Sequence, residues 1–297
     1  MIANELGAVG VWSTELHFGE PDEAAATAAE LEELEYAAIW YPGAFGGPVF
    51  DMGATLLGAT QRIPVALGVL NLWKHAPAEV VAGFSRLDDV APGRFILGIG
   101  SSHASMVNTE EQADLYRRPF RAMTNYLNAL DEAGSAIPQK RRVLAALGPK
   151  MLKTAKERAA GVHPYFVTAE HTRRARESLG GDALLAPEHA VVLEQQATRA
   201  REIARKYTGA YLGFPNYCRN LLRLGWKEED FLDGGSDQLV DALVAWGKPE
   251  EIRKKVYSHH EAGADHVCIQ VIGENWGQMP PEFPRREWRE LAAALVA

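Results

Sequence analysis

The chain has 297 residues, 47% of them hydrophobic and 24% charged, and a formal net charge of −8. That is the balance of a globular chain long enough to bury a large core without staples, and its acidity argues against general nucleic-acid binding, which needs cations to neutralise phosphates. Two cysteines, Cys218 and Cys268, with no CxxC spacing, exclude a disulfide scaffold and a zinc ribbon and suit a reducing compartment.

From the N-terminus, residues 7–12 form a glycine-punctuated apolar run, the pattern of a buried strand. Residues 22–35, rich in Ala, Leu and Glu, read as a helix opened by Pro21-Asp22. The cycle repeats with strand 37–40 and helix 52–60, strand 63–70 and helix 77–89, then strand 94–100 and, after a polar insertion, helix 120–132. Strand 142–147 precedes helix 151–160, and strand 162–167 precedes helix 169–179. A strand region at 183–186 and 191–193 leads into a helix over 195–207. Helix 249–262 and a strand at 265–272 close the series.

Strands that are apolar throughout, rather than alternating, imply a sheet covered on both faces and therefore parallel. Eight such βα units in this length predict a closed (β/α)8 barrel in one domain, with an open doubly wound sheet as the alternative. The stretch 207–246 is too long for a simple crossover. Turns at Phe214-Pro215-Asn216 and Asp233-Gly234-Gly235 mark it as a helical excursion around the site or a subunit contact. The basic clusters 140–142 and 173–176 read as solvated surface or helix-end charges, and His259-His260 as an exposed pair on a helix. No basic leader with an apolar segment and no run of about 18 apolar residues occurs, so a cytoplasmic chain is expected, without membrane or nucleic-acid partners.

In such a barrel the ligand site lies at the C-terminal ends of the strands. The positions to inspect are 12–17, 40–43, 71–75, 100–103, 148–150, 163–168 and 273–276, several of them rich in Gly, Ser, His and Trp. A flat aromatic ligand with a phosphate tail uses such groups: glycines for close backbone approach, aromatic walls for stacking. Trp12, Trp40 and Trp73 are candidate walls. Gly98-Ile99-Gly100 is a poor dinucleotide fingerprint, since its third glycine is missing and it follows the fourth strand. Walker A, HExxH and GxSxG patterns are absent, and the strand-end histidines lack the neighbouring acids of a metal hydrolase.

The segments 68–77 (GVLNLWKHAP), 92–103 (PGRFILGIGSSH), 147–152 (LGPKML), 157–168 (ERAAGVHPYFVT), 237–247 (DQLVDALVAWG) and 263–270 (GADHVCIQ) together resemble the luciferase-like superfamily. The likeness is to its branch of oxidoreductases that depend on the deazaflavin coenzyme F420. It implies hydride transfer between F420 and a small organic substrate in a protein that is commonly a homodimer. FMN is the alternative cofactor, in a luciferase-like monooxygenase or a flavin-binding barrel without turnover.

The resemblance also implies site residues. A bulge with a non-proline cis peptide falls at Gly68-Val69 and backs the cofactor's middle ring; Asn71 matches a ring contact. Gly148 and Met151 match the ring edge, and Ala160-Gly161 matches the lining of the phosphate-bearing tail. Ser101, Ser102 and His103 match the end of strand four beside ring and substrate. His103 is then the candidate for proton delivery or substrate orientation, a histidine titrating in the useful range. Many relatives carry an acid–histidine pair after strand two; here that stretch is Trp40-Tyr41-Pro42-Gly43, and His17 is the candidate substitute.

Overall fold

The computed structural model describes residues 6–110, 114–133 and 137–296. The first half alternates β1 (Val9–Trp12), α1 (Glu15–Phe18), α2 (Pro21–Glu33), β2 (Ile39–Gly43), α3 (Val49–Gly58), β3 (Val65–Asn71), α4 (Pro77–Val90) and β4 (Phe95–Gly100). It continues with α5 (Ala104–Val107), α6 (Pro119–Glu132), β5 (Arg142–Leu144), α7 (Pro149–Arg158), β6 (Gly161–Val162) and α8 (Ala169–Leu179). Strands β7 (Leu184–Leu185) and β8 (Glu188–Val192) follow, then α9 (Ala197–Leu212), α10 (Pro215–Leu224), α11 (Asp237–Leu243) and β9 (Val244–Trp246). The chain ends in α12 (Pro249–Glu261), β10 (Val267–Val271) and α13 (Arg285–Leu295).

The sheet is parallel throughout, in the order β7-β6-β5-β4-β3-β2-β1-β10-β8-β9. Its two ends meet, because β7 and β8 are halves of one run separated only by Ala186 and Pro187. Ala186 N–H donates to the Val162 carbonyl on the β6 side, and the Pro187 carbonyl accepts from Cys268 N–H on the β10 side. The predicted barrel is therefore closed, and β9 is an added edge on β8. The barrel interior is filled by Trp12, Trp40, Ala66, Ile96, Val143 and Cys268, among others, while a separate apolar layer joins strands to the outer helices.

Differences from the expectations have local causes. Strand 162–167 shrinks to two residues because Pro164 has no N–H for the ladder and Phe166 turns to a φ of 57°. The tail after 272, beyond the last element expected from the sequence, folds into α13, whose Trp288, Leu291 and Leu295 are buried. Arg141 and Arg142 are not surface charges. Arg142 is 1% exposed, bonded to Asp131 at 2.7 Å and to the Ile137 carbonyl, and Arg141 is bonded to the Phe95 carbonyl. His259 is likewise buried, between Thr172 Oγ1 at 2.8 Å and His189 Nδ1 at 3.1 Å. The excursion lies where expected: α9, α10 and α11 pack on β8 and β9 around Tyr207, Tyr217, Leu221 and Leu239, with Pro215 opening α10.

Candidate active site

One cavity of about 1300 Å³ opens at the C-terminal ends of the strands. Trp12 and the β3 bulge lie in its wall. The Gly68–Val69 peptide is cis, as expected, and β3 slips against β4 between Leu67 and Leu70. Trp12 Nε1 donates to the Gly68 carbonyl at 2.9 Å, which ties the bulge to β1. A Cβ on Gly98 would overlap the Leu67 carbonyl oxygen, and one on Gly100 would press on Val69. The glycines of Gly98-Ile99-Gly100 thus make room for the bulge rather than cradling a dinucleotide.

After β4 come Ser101, Ser102 and His103, all on the cavity. The His103 ring stacks on Phe214 at 4.2 Å between centroids and lies 5.0 Å from Tyr217. Burial lowers its pKa to about 4, so the imidazole is neutral in ordinary buffers. Asn216 Nδ2 lies 3.4 Å from His103 Nδ1 and 3.3 Å from the Tyr116 hydroxyl, which donates to the Ser102 carbonyl at 3.2 Å. Across the cavity, Gly148 caps α7 and stands with Met151 in the wall.

Four expected site residues lie outside this cavity. Asn71 is 1% exposed and spends its amide on the chain, donating to the Ala44 carbonyl and accepting from Trp73 N–H, both at 3.1 Å. It fastens the loop after β2 to the end of β3. Ala160 and Gly161 stand where β6 begins, and neither is in the cavity wall, which the chain reaches two residues later at His163. Ala160 N–H bonds the Arg142 carbonyl at 2.8 Å, and a Cβ on Gly161 would overlap the Leu184 carbonyl. Gly161 therefore serves the close approach of β6 and β7, not a phosphate tail. His17 packs beside Phe18 and Tyr41 at 4.6 and 6.5 Å, off the cavity wall. Of the three tryptophans, Trp12 alone faces the cavity. Trp40 fills the barrel interior, donating to His266 Nε2 at 3.1 Å, and Trp73 braces the Ser101 carbonyl at 2.8 Å.

Several further groups, some within the stretches marked above and others outside them, line or support the cavity. Glu15 follows β1, accepts from Ser13 Oγ at 2.6 Å, and has its pKa raised by burial. Lys150 at the start of α7 and Arg219 and Arg223, one turn apart on α10, put three exposed cations on one wall. Among the described residues no carboxylate pairs with any of them. Burial, and then the charge of Arg219, lowers the pKa of Arg223. Tyr165, after β6, donates to Gln270 Oε1 at 2.6 Å, and its hydroxyl lies 2.9 Å from that of Tyr211, from which it accepts. Beneath it Glu188 accepts from Tyr207 at 3.1 Å, and burial raises its pKa to about 8.

A closed parallel barrel whose one large strand-end cavity holds aromatic walls, an acid and a neutral histidine is an enzyme architecture. The family model described as luciferase-like monooxygenase matches residues 6–266, and the chain belongs to that family. The family's structural neighbours are oxidoreductases and monooxygenases, and this chain is an enzyme of that kind. A comparison with curated protein sequences finds no match.

Among solved structures, the chain is similar to the coenzyme F420-dependent tetrahydromethanopterin reductase of Methanopyrus kandleri, with 16% identity, 98% of this chain and 99% of that one covered, and a TM-score of 0.74. An F420-dependent secondary alcohol dehydrogenase in complex with an F420–acetone adduct shares 13% identity over 98% of each chain, at a TM-score of 0.69. A type II Baeyer–Villiger monooxygenase from Pseudomonas putida in complex with FMN shares 14% over 98% of this chain and 99% of that one, at 0.61. These likenesses establish the fold.

Proposed function

We propose that the chain is an F420-dependent oxidoreductase that exchanges a hydride between the deazaflavin and an organic alcohol or carbonyl compound. The observation that carries this reading is the division of the cavity. Gly68, Val69, Ser101, Gly148 and Met151 line it with uncharged groups, and Lys150, Arg219 and Arg223, with which no carboxylate pairs among the described residues, line it as cations. In this reading a flat ring system lies against the uncharged groups, and a tail with several negative charges suits cations spread toward solvent better than a single terminal phosphate does. The N-terminal end of α7 adds the positive end of its dipole on the same side.

The cofactor supplies a ring carbon that gives or takes hydride; this chain's residues handle orientation, water and the proton. The His103 tautomer that accepts from Asn216 carries its proton on Nε2, and so donates a hydrogen bond to a substrate oxygen. A pKa near 4 makes that imidazole an orienting donor rather than a proton carrier. Glu15, a carboxyl raised by burial on the same cavity, is the group that takes or returns the hydroxyl proton. Two structural neighbours that are named for F420 support the assignment.

The test is charge reversal on α10. Arg219→Glu with Arg223→Glu should weaken F420 binding at least ~30-fold, and the parent affinity should fall with added salt. An unchanged affinity in the double variant removes the cation wall from the cofactor site and the proposal with it.

A further inference from the structure

The proposed cofactor would use part of the cavity, and other lining residues share a chemistry of their own. The cavity's volume of about 1300 Å³ exceeds the ~300–1,000 Å³ of an ordinary single-ligand pocket, so there is room for a second molecule. That second space is walled by Phe18, Phe45, Met106, Phe120, Met279 and Phe283, which arrive from separate segments of the chain. Phe18 and Phe45 are in edge contact at 5.4 Å, and Phe283 lies against Gly19 next to them. At the mouth Phe45, Phe120 and Met279 are 52%, 43% and 65% exposed, large apolar side chains that face water from three segments around one opening. A monomer surface seldom keeps such a cluster without a ligand for it.

Charge narrows the class further. The cavity's unpaired cations sit on α7 and α10, where the proposed cofactor tail takes them. On the side of the C-terminal loop the lining charges are the carboxylates Glu274, paired with Arg199, Glu287, paired with Arg286, and Glu282, which has no ion pair among the described residues and disfavours an anion. A donor able to hold a neutral oxygen stands at one point: His103 Nε2–H, with its tautomer fixed by Asn216, whose amide also donates to the Tyr116 hydroxyl, which in turn donates to the Ser102 carbonyl.

We propose that this space takes a bulky, uncharged, predominantly apolar substrate, held at its single hydroxyl or carbonyl by His103, which Asn216 and Tyr116 position, and enclosed by Phe18, Phe45, Phe120 and Met279. The substrate class rests on the oxidoreductase reading above. Phosphorylated sugars and other anionic metabolites are excluded from it.

The experiment is displacement of Nile red from the purified protein by a series of 2-alkanones from 2-butanone to 2-decanone, with glucose 6-phosphate as the anionic control. Each added methylene should tighten binding about three- to fourfold, the factor expected for burying one CH2. In the Phe45→Ser/Phe120→Ser double variant the gain should fall below ~twofold per methylene, with F420 affinity held within ~twofold. A flat series, stronger competition by glucose 6-phosphate than by 2-octanone, or failure of Nile red to bind overturns the proposal. So does a dimer that the double variant breaks to monomers, with the parent series flat, because the rim is then a subunit contact. An F420 titration on the same preparation separates the two readings. A climbing ketone series without F420 binding refutes the cofactor and leaves the substrate class, and F420 binding with a flat series does the reverse.

Discussion

The proposed division of polar work between His103 and Glu15 can be tested through pH. With a pKa near 4, His103 does not change charge between about pH 5.5 and 8, so ligand binding should be insensitive to it there. His103→Ala should cost roughly tenfold in substrate affinity, the worth of one oriented hydrogen bond, with no new pH dependence. Glu15→Gln should abolish turnover while leaving F420 affinity intact, read by cofactor fluorescence alongside rate. If Glu15→Gln turns over normally, the proton passes elsewhere. Ser101, Ser102 and His103 were legible because an apolar strand ending in Gly100 points to them. Glu15 lay within an inspected stretch, but its burial depends on Ser13 and the barrel mouth, which no local pattern displays. Gly98-Ile99-Gly100 was visible as a motif, yet its purpose was hidden, because the group that needs the space is Val69, some thirty residues earlier. Gly98→Ala should therefore destabilise the protein by about 1–3 kcal/mol and displace the bulge, seen as a lower urea midpoint together with weakened F420 binding.

At the scale of elements, most strands and helices of the barrel follow from apolar runs and helical spacing, and the exceptions are instructive. The buried positions Trp288, Leu291, Ala292 and Leu295 of α13 keep helical spacing, so that helix was legible although it was not read. What the sequence could not show is its seat. Tyr36 donates to the Trp288 carbonyl at 2.8 Å, and Arg285 and Arg289 clamp Glu30 on α2, over 250 residues away in the chain. Trp288→Ala should cost about 3–5 kcal/mol as a filled core site is emptied. Glu30→Ala should cost about 1 kcal/mol or less, since its partners are partly solvated. Urea unfolding of both variants checks the order, and a reversed order would mean that α13 is held by charge rather than by packing. The same limit explains Arg219 and Arg223. Their i,i+4 spacing is visible, but their place on the cavity follows from how the excursion docks on β8 and β9.

The molecule as a whole carries opposing pH dependences in its core. Burial lowers the pKa values of His17, His103, His163, His171, His189, His259 and His266 below the ordinary histidine value of 6.5. The unfolded chain then binds more protons than the folded one between about pH 6.5 and 4, so this stability is full above the unfolded value and is lost as pH falls through that window. Glu188 has the opposite sign. Raised to about 8, it favours the fold fully below its unfolded value of 4.5 and progressively less as pH rises toward 8. Urea midpoints should climb from pH 4 to 6.5 and decline above it, and Glu188→Gln should steepen the climb and flatten the decline. An alkaline limb unchanged in that variant would contradict the assignment of Glu188.

The central claim, that the barrel is built around a deazaflavin, is tested most directly by titrating the purified protein with F420 and with FMN while following tryptophan and cofactor fluorescence. The account predicts F420 binding at micromolar concentration or tighter, with FMN at least ~tenfold weaker because it offers the cation wall a single phosphate. Tight FMN binding with none to F420 would contradict it and place the chain among the flavin monooxygenases of its family.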